Sequence, residues 1–163
     1  MPALAVSALI AQAAERPAAA IELIEELEMG TRDSFYRNLH VTDAMRISAA
    51  AGRLDLGQRF LEDAAFAARP RCSLLAARAG AVEGHGDLEL AAELYAEAAS
   101  RWEEYGHVLE RGYALLGAGR CLAQLGRWAE ANARLEEARA VFAALHAGAL
   151  AAEAERWLAK AEV

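Results

Sequence analysis

Histidine and cysteine, the residue types that most often bind metals or act as nucleophiles, are few in this sequence and lie far apart. The four histidines all fall at predicted turns or helix ends: His40, His85, His107 and His146. None of them has a second ligand at helical spacing, so the pattern favours solvated or capping histidines over a metal site. Cys72 and Cys121 lie on predicted helices without a neighbouring histidine, which is typical of buried structural thiols.

The acidic pairs and the glycine-rich stretch also lack the arrangement that catalysis needs. Carboxylates such as those of Glu25–Glu26 and Glu136–Glu137 are adjacent on predicted helices, so their side chains diverge by about 100° and cannot converge as an acid–base pair. The glycines of segment 112–119 lie in a helical pattern with no Gly-Lys-Ser/Thr after them, which favours close helix packing over a phosphate loop. The sequence therefore predicts no catalytic residue, cofactor or metal, and a protein that is not an enzyme.

Composition and charge exclude several classes of partner. The chain has 163 residues and a net charge of -7, whereas a nucleic-acid surface needs clustered Lys and Arg. No apolar run is long enough to span a bilayer. Residues 1–11 resemble the apolar core of a signal peptide but lack its positively charged start, so we expect them to form the first helix. The isolated cysteines suit a reducing compartment, and we expect a cytoplasmic protein without nucleic-acid or membrane partners.

One pattern of residues, beginning each time at a glycine, occurs three times along the chain. Offsets 0, +2, +5, +9 and +12 carry, in turn, Gly126, Trp128, Ala131, Leu135 and Ala138; Gly86, Leu88, Ala91, Tyr95 and Ala98; and Gly52, Leu54, Gly57, Leu61 and Ala64. The glycines are 34 and 40 residues apart, a period typical of stacked helix pairs. Glycine suits a left-handed residue after a helix, and small residues at +5 and +12 let two helix backbones approach closely.

This arrangement resembles the tetratricopeptide repeat (TPR), whose pattern places a glycine, an aromatic, an alanine, a large residue and an alanine at these relative positions. The resemblance implies an all-α, right-handed superhelix of about four helix pairs followed by a C-terminal capping helix. We expect one domain over residues 1–163, with units at about 1–33, 34–70, 71–106 and 107–147 and the cap at 148–163. The longer spacing and the Ala, Arg, Glu and Leu content also resemble the C-terminal helical-repeat regions of bacterial LuxR-type ATPase regulators and nucleotide cyclases.

Hydrophobic periodicity and capping signals predict nine helices, at 3–14, 17–29, 35–51, 54–69, 71–84, 87–104, 107–125, 127–146 and 149–162. Phe35–Tyr36 is expected to anchor the third helix. The first pair is degenerate: with Glu15 in the glycine position, Pro17, Ala20, Ile24 and Leu27 occupy the other four offsets. The last helix is interpreted as a cap with one buried and one solvated face.

In TPR arrays the first helix of each pair lines a concave groove, so the resemblance assigns groove positions by residue. These positions are Leu39, Thr42, Arg46 and Ala49; Ser73, Ala76, Gly80 and Glu83; and Tyr113, Leu116, Arg120 and Ala123. Arg46 and Arg120 occupy equivalent positions. The second helices hold sixteen acidic and six basic residues, whereas the first helices and turns hold five and nine. We therefore expect groove and back to differ in the sign of their charge.

We therefore expect a non-catalytic protein-interaction or regulatory module whose groove binds a partner protein or peptide of unknown identity. In this hypothesis Arg46 and Arg120 pair with carboxylates of the partner, and Tyr113 and Leu116 supply apolar area. The alternative for the arginines is that both are ordinary solvated residues. Two other functions stay open: a ligand- or peptide-sensing domain of a larger signalling or transcription regulator, and a self-associating structural module.

Overall fold

The computed structural model describes residues 2–31, 40–64 and 71–162, and every regular element in these ranges is helical. The helices are α1 (Pro2–Ala13), α2 (Pro17–Thr31), α3 (Val41–Ala50), α4 (Leu54–Ala64), α5 (Arg71–Gly84), α6 (Leu88–Tyr105), α7 (Val108–Gln124), α8 (Trp128–Ala144) and α9 (Gly148–Leu158), followed by a 3-10 helix at Ala159–Glu162. The predicted all-α class is confirmed for the residues that the structure describes.

Most helix ends lie within two residues of their predicted positions, and the start of α3 differs most. The sequence predicted a start near Phe35, but α3 begins at Val41, directly after a bend at His40. Val41 is buried, so the helix as described begins where its first apolar side chain enters the core. The predicted anchor Phe35–Tyr36 and the predicted last turn of α4, residues 65–69, lie outside the described residues.

The turns between helices share one backbone geometry. A residue with positive φ lies two positions before the start of six helices, at Glu15, Gly52, Gly86, Gly106, Gly126 and His146. At Gly126 the backbone N–H donates to the carbonyl of Ala123 (3.0 Å), and the N–H of Arg127 donates to that of Leu122 (2.9 Å). The Glu15, Gly52, Gly106 and His146 turns contain the same two bonds. This Schellman arrangement satisfies the last carbonyls of the preceding helix.

The residues at the +5, +9 and +12 offsets are buried in α2 and α8, whereas Leu61 of α4 and Tyr95 of α6, both at +9, are partly exposed. Ala131, Leu135 and Ala138 of α8 are fully buried. In α2, the residues at the same offsets from Glu15 are Ala20, Ile24 and Leu27, and they are at most 1% exposed. Since Glu15 also adopts φ 56°, the degenerate first repeat has the turn conformation and the buried stripe of the repeat that begins at Gly126.

The chain divides into two compact units, and the first is Met1–Gly84. In this unit α1 packs on α2, α3 packs on α4, and α5 packs on both α3 and α4. Its largest fully buried side chains include Ile24, Leu27, Met45, Leu56 and Phe60. A Cβ added at Gly57 would lie 2.9 Å from the Met45 Sδ and 3.1 Å from the Met45 Cα, so the missing side chain on α4 makes room for Met45 on α3.

In the second unit, His85–Val163, α7 packs on both α6 and α8, and α9 packs on α8. Glycines of α7 lie against large side chains of both neighbours. A Cβ on Gly112, Gly117 or Gly119 would come within 2.8 Å of Phe142, 2.8 Å of Tyr95 or 2.6 Å of Leu135, respectively. These glycines permit close helix approach, and the prediction of packing rather than a phosphate loop is confirmed.

Helix α9 begins as α7 does, two residues after a left-handed residue, but its exposed face is charged. Leu115, nine positions after Gly106, is 2% exposed. The corresponding residue nine positions after His146 is Glu155, which is exposed. Ala154 next to it is fully buried. One buried face and one charged face are what a capping helix needs.

Candidate functional site

The predicted groove residues divide between the two units. The first unit holds seven of them on α3 and α5, which pack on each other: Thr42, Arg46, Ala49, Ser73, Ala76, Gly80 and Glu83. The second unit holds four, which all lie on α7: Tyr113, Leu116, Arg120 and Ala123. Leu39 lies outside the described residues.

Thr42 and Ser73 form a packing contact between α3 and α5. The Thr42 hydroxyl donates a hydrogen bond to the Ser73 carbonyl oxygen at 3.3 Å. Ser73 is 4% exposed, so its side chain offers little surface to a partner. The contact places the first helices of two consecutive pairs side by side, and Ala76 and Glu83, both partly exposed, lie further along α5.

Arg46 of α3 already has a carboxylate partner on its own helix. Its Nη1 lies 3.0 Å from Oδ1 of Asp43, one turn earlier, and the two side chains are 22% and 25% exposed. An ion pair so close to water contributes little free energy of folding, because solvent screens it and two long side chains must be ordered. A partner's carboxylate would therefore have to compete with Asp43 for this guanidinium, at a modest cost.

Tyr113 and Leu116 of α7 have different accessibility. The Tyr113 ring is half-buried and packs edge-on against Phe142 of α8, with ring centroids 5.7 Å apart and planes at 68°, a favoured aromatic geometry. Leu116 is 3% exposed. Leu116 thus packs in the interior, whereas Tyr113 keeps part of its ring at the surface.

Arg120, the equivalent of Arg46, approaches a carboxylate from another helix. Its Nη1 lies 3.8 Å from Oε1 of Glu153 on α9, with side chains 28% and 34% exposed. The pair joins α7 to α9. Both equivalent arginines therefore have a neighbouring carboxylate, but Asp43 is local in sequence and Glu153 is brought in by the fold.

Two further arginines, which the sequence analysis did not single out, occupy equivalent places directly after the turn glycines. Arg53 pairs with Asp55 in the first turn of α4 (3.0 Å) and with Glu25 of α2 (3.2 Å). In the second unit Arg127 pairs with Glu130 of α8 (2.7 Å) and with Glu89 of α6 (2.6 Å). Each arginine thus connects the second helices of consecutive pairs. Arginine directly after two of the three repeat glycines was the available sequence signal.

These exposed ion pairs shift the pKa values of their carboxyl groups. The side-chain hydrogen bond from Arg53 is the largest cause of the lowered pKa of Asp55, and the one from Arg127 has the same effect on Glu130. The pKa of each guanidinium is raised by the reciprocal bond. All four groups remain charged near neutral pH, so the Arg53–Asp55 and Arg127–Glu130 pairs persist there.

Among the residues that the structure describes, no group of three His, Cys, Asp or Glu side chains is placed to hold a metal ion. No helix in the described ranges is long and apolar enough to cross a membrane. Cys72 and Cys121 are buried, as predicted for structural thiols.

Comparison with known proteins adds no relative. No model of a known protein family matches the sequence. No curated protein matches it, and no solved structure matches the fold.

Proposed function

We propose that this chain is a non-catalytic protein-interaction module built as a TPR-like, right-handed superhelix that works in the cytoplasm. The observation that carries the proposal is the repetition of one turn, in which a residue with positive φ lies two positions before the next helix, at six places from Glu15 to His146. Arrays of this kind bury their cores between neighbouring helices and leave one face of the first helices for partners.

Each unit is proposed to bind through the accessible part of its own first helices. The surface of the first unit comprises Arg46, Ala76 and Glu83, and that of the second unit comprises Tyr113 and Arg120. The candidate residues are held by ion pairs and packing contacts rather than as a nucleophile beside a base, which supports binding over catalysis. The partner segment carries a carboxylate and an apolar side chain, which Arg120 and Tyr113 engage.

A photo-crosslinking experiment tests this surface. A photoreactive amino acid replaces Ala76 or Tyr113, and in a matched control it replaces the exposed Arg139 of α8. After irradiation in the native cell, we expect the same protein to be joined at Ala76 or Tyr113 but not at position 139. The captured protein must then bind the purified chain. Capture from position 139 alone would overturn the proposal.

The ion pair at Arg120 gives a sharper test with two opposite expectations. Arg120→Ala removes the proposed contact, and we expect it to weaken binding of the captured partner about tenfold, since a charge-assisted hydrogen bond is worth roughly 1.5 kcal/mol or more. Glu153→Ala removes the competing carboxylate, and we expect binding about twofold tighter because an exposed pair holds Arg120 only weakly. Isothermal titration calorimetry measures both. Equal weakening by the two substitutions would mean that the pair only supports the fold.

A further inference from the structure

Helix α1 has an exposed face that carries no charge. No side chain from Met1 to Ala14 is ionisable. Ala5, Ala8 and Ala11 are buried in the first unit. The opposite side of α1 presents Val6 and Ile10, which are 55% and 58% exposed and are among the most exposed large apolar side chains that the structure describes.

The exposed residues of this face have the spacing of a coiled-coil seam. Ala3, Val6, Ile10 and Ala13 are all exposed, and their intervals of three, four and three residues are those of successive a and d positions. A helix face of this kind is incomplete in water, because its apolar side chains gain free energy only when a second helix covers them.

The seam is complementary to itself. Its four positions are symmetric about residue 8, so a two-fold axis at that level places Val6 opposite Ile10 of a second copy and Ala3 opposite Ala13. Large side chains then meet large ones in the middle, and small residues at both ends allow close approach of the two backbones. We infer that two copies of this chain associate through α1, with the two α1 helices antiparallel.

The absence of charge on the α1 face makes it the part of the surface where a second copy meets least repulsion. The chain carries a net charge of -7, so two copies repel each other over most of their surface. The α1 face adds no like charges to this repulsion, and a basic or acidic partner would find no complementary charge there. The exposed side of α9 differs: it carries Glu155 and Arg156, and charges of this kind keep a helix face solvated.

The contact is small, which sets the expected strength. A helix of 12 residues is roughly 18 Å long, so the buried area is at the low end for specific interfaces. We therefore expect a dimer with a dissociation constant in the micromolar range. The inference does not depend on the proposed groove, because Val6 and Ile10 belong to α1 and the groove residues belong to α3, α5 and α7.

Sedimentation equilibrium of the whole chain, from micromolar to near-millimolar concentration, tests the inference. We expect the mass of the wild type to rise from monomer to dimer. Val6→Lys and Ile10→Glu should each weaken association at least tenfold, because each buries a charge opposite an apolar side chain. Leu90→Glu, a matched control on α6 at a residue 42% exposed, should behave as the wild type. Circular dichroism checks that the variants remain helical.

Mixing the Val6→Lys and Ile10→Glu variants tests the antiparallel pairing. In a mixed dimer the introduced lysine of one copy would face the introduced glutamate of the other on one side of the axis, and the native Ile10–Val6 contact would remain on the other side. We expect the mixture to associate more tightly than either variant alone. A constant monomer mass for the wild type, or no recovery in the mixture, would overturn the inference. So would a monomer that binds neutral lipid vesicles through Ile10, which would assign the face to a membrane surface.

Discussion

In both hairpins, α3–α4 and α7–α8, a large side chain fills the space between the two helices. This side chain belongs to the first helix in α3–α4 and to the second helix in α7–α8. Seven residues before the turn glycine, α3 has Met45 and α7 has Gly119; five residues after it, α4 has Gly57 and α8 has Ala131. In the first unit α4 makes room for Met45, and in the second α7 makes room for Leu135. The repeat therefore keeps the space between two helices filled and leaves open which helix fills it.

Truncating the large side chain of the first hairpin should give the largest loss. Met45→Ala removes a side chain that is 1% exposed, and we expect the free energy of unfolding to fall by about 2–5 kcal/mol because a cavity remains opposite Gly57. Urea unfolding followed by far-ultraviolet circular dichroism measures it. Adding Gly57→Ala should recover at least about 0.5 kcal/mol, since the new methyl group enters the vacated space. If the losses of unfolding free energy from Met45→Ala and Gly57→Ala simply added in the double variant, the idea that one side chain takes the space of the other would be wrong.

Adding bulk to the first helix of the second hairpin should cost less. In Gly119→Ala the new Cβ would lie 2.6 Å from Leu135 Cγ and 3.3 Å from the Ala131 carbonyl oxygen. We expect a net loss of about 1–2 kcal/mol, because overpacking outweighs the gain in helix propensity. All tryptophans lie in this unit, so tryptophan fluorescence during urea unfolding reports it. Gly148→Ala is the control: nothing lies within 4 Å of its Cβ, and stability should not fall.

Replacing a turn residue should change the free energy of unfolding by about 1 kcal/mol, downward at Gly126 and upward at Glu15. Gly126→Ala places a side chain at φ 74°, which costs about 1–2 kcal/mol although no atom lies within 4 Å of its Cβ. Glu15→Gly removes the same penalty from the first unit and should stabilise it by less than about 1 kcal/mol, since glycine is also more flexible when unfolded. Thermal unfolding of the two variants gives both signs. A destabilised Glu15→Gly variant would show that the Glu15 side chain makes a compensating contact.

The turn arginines should give the smallest effect and the clearest dependence on pH. Arg53→Ala and Arg127→Ala should lower the melting temperature slightly at low salt and hardly at all at high salt. Because the folded-state pKa values of Asp55 and Glu130 lie below their ordinary 3.8 and 4.5, these pairs stabilise the fold above those values and lose their effect as the pH falls through the folded-state values. Melting curves from neutral to acid pH should show wild type and variants converging. A constant difference would point to lost packing instead.

Local signals in the sequence were sufficient to predict most of the helices and turns that the structure describes. Pro17 begins α2 as predicted, and Glu15 takes the glycine position with φ 56° while its turn keeps both backbone hydrogen bonds. The start of α3 was predicted near Phe35 from the capping candidates before it, whereas α3 begins at Val41, after a bend at His40.

The candidate site depended more on contacts between distant residues. The Arg46–Asp43 pair is one turn apart and its spacing was visible in the sequence. The pairing of Arg120 with Glu153 requires α9 to lie beside α7, which no local pattern specifies. Leu116 shows the same limit: its offset suggested a groove position, but the side chain is buried once neighbouring helices are in place.

The regular spacing of left-handed residues in the second unit has an evolutionary consequence. Gly86, Gly106, Gly126 and His146 follow one another every 20 residues. Residues 107–146 therefore form a segment that follows one left-handed residue, Gly106, and ends on another, His146. A tandem duplication of its codons, placed after His146, would continue directly into a new copy of α7 without requiring a new connection. Genes with this spacing can lengthen by whole helix pairs, whereas an insertion of another length would break the regular spacing of the turn residues.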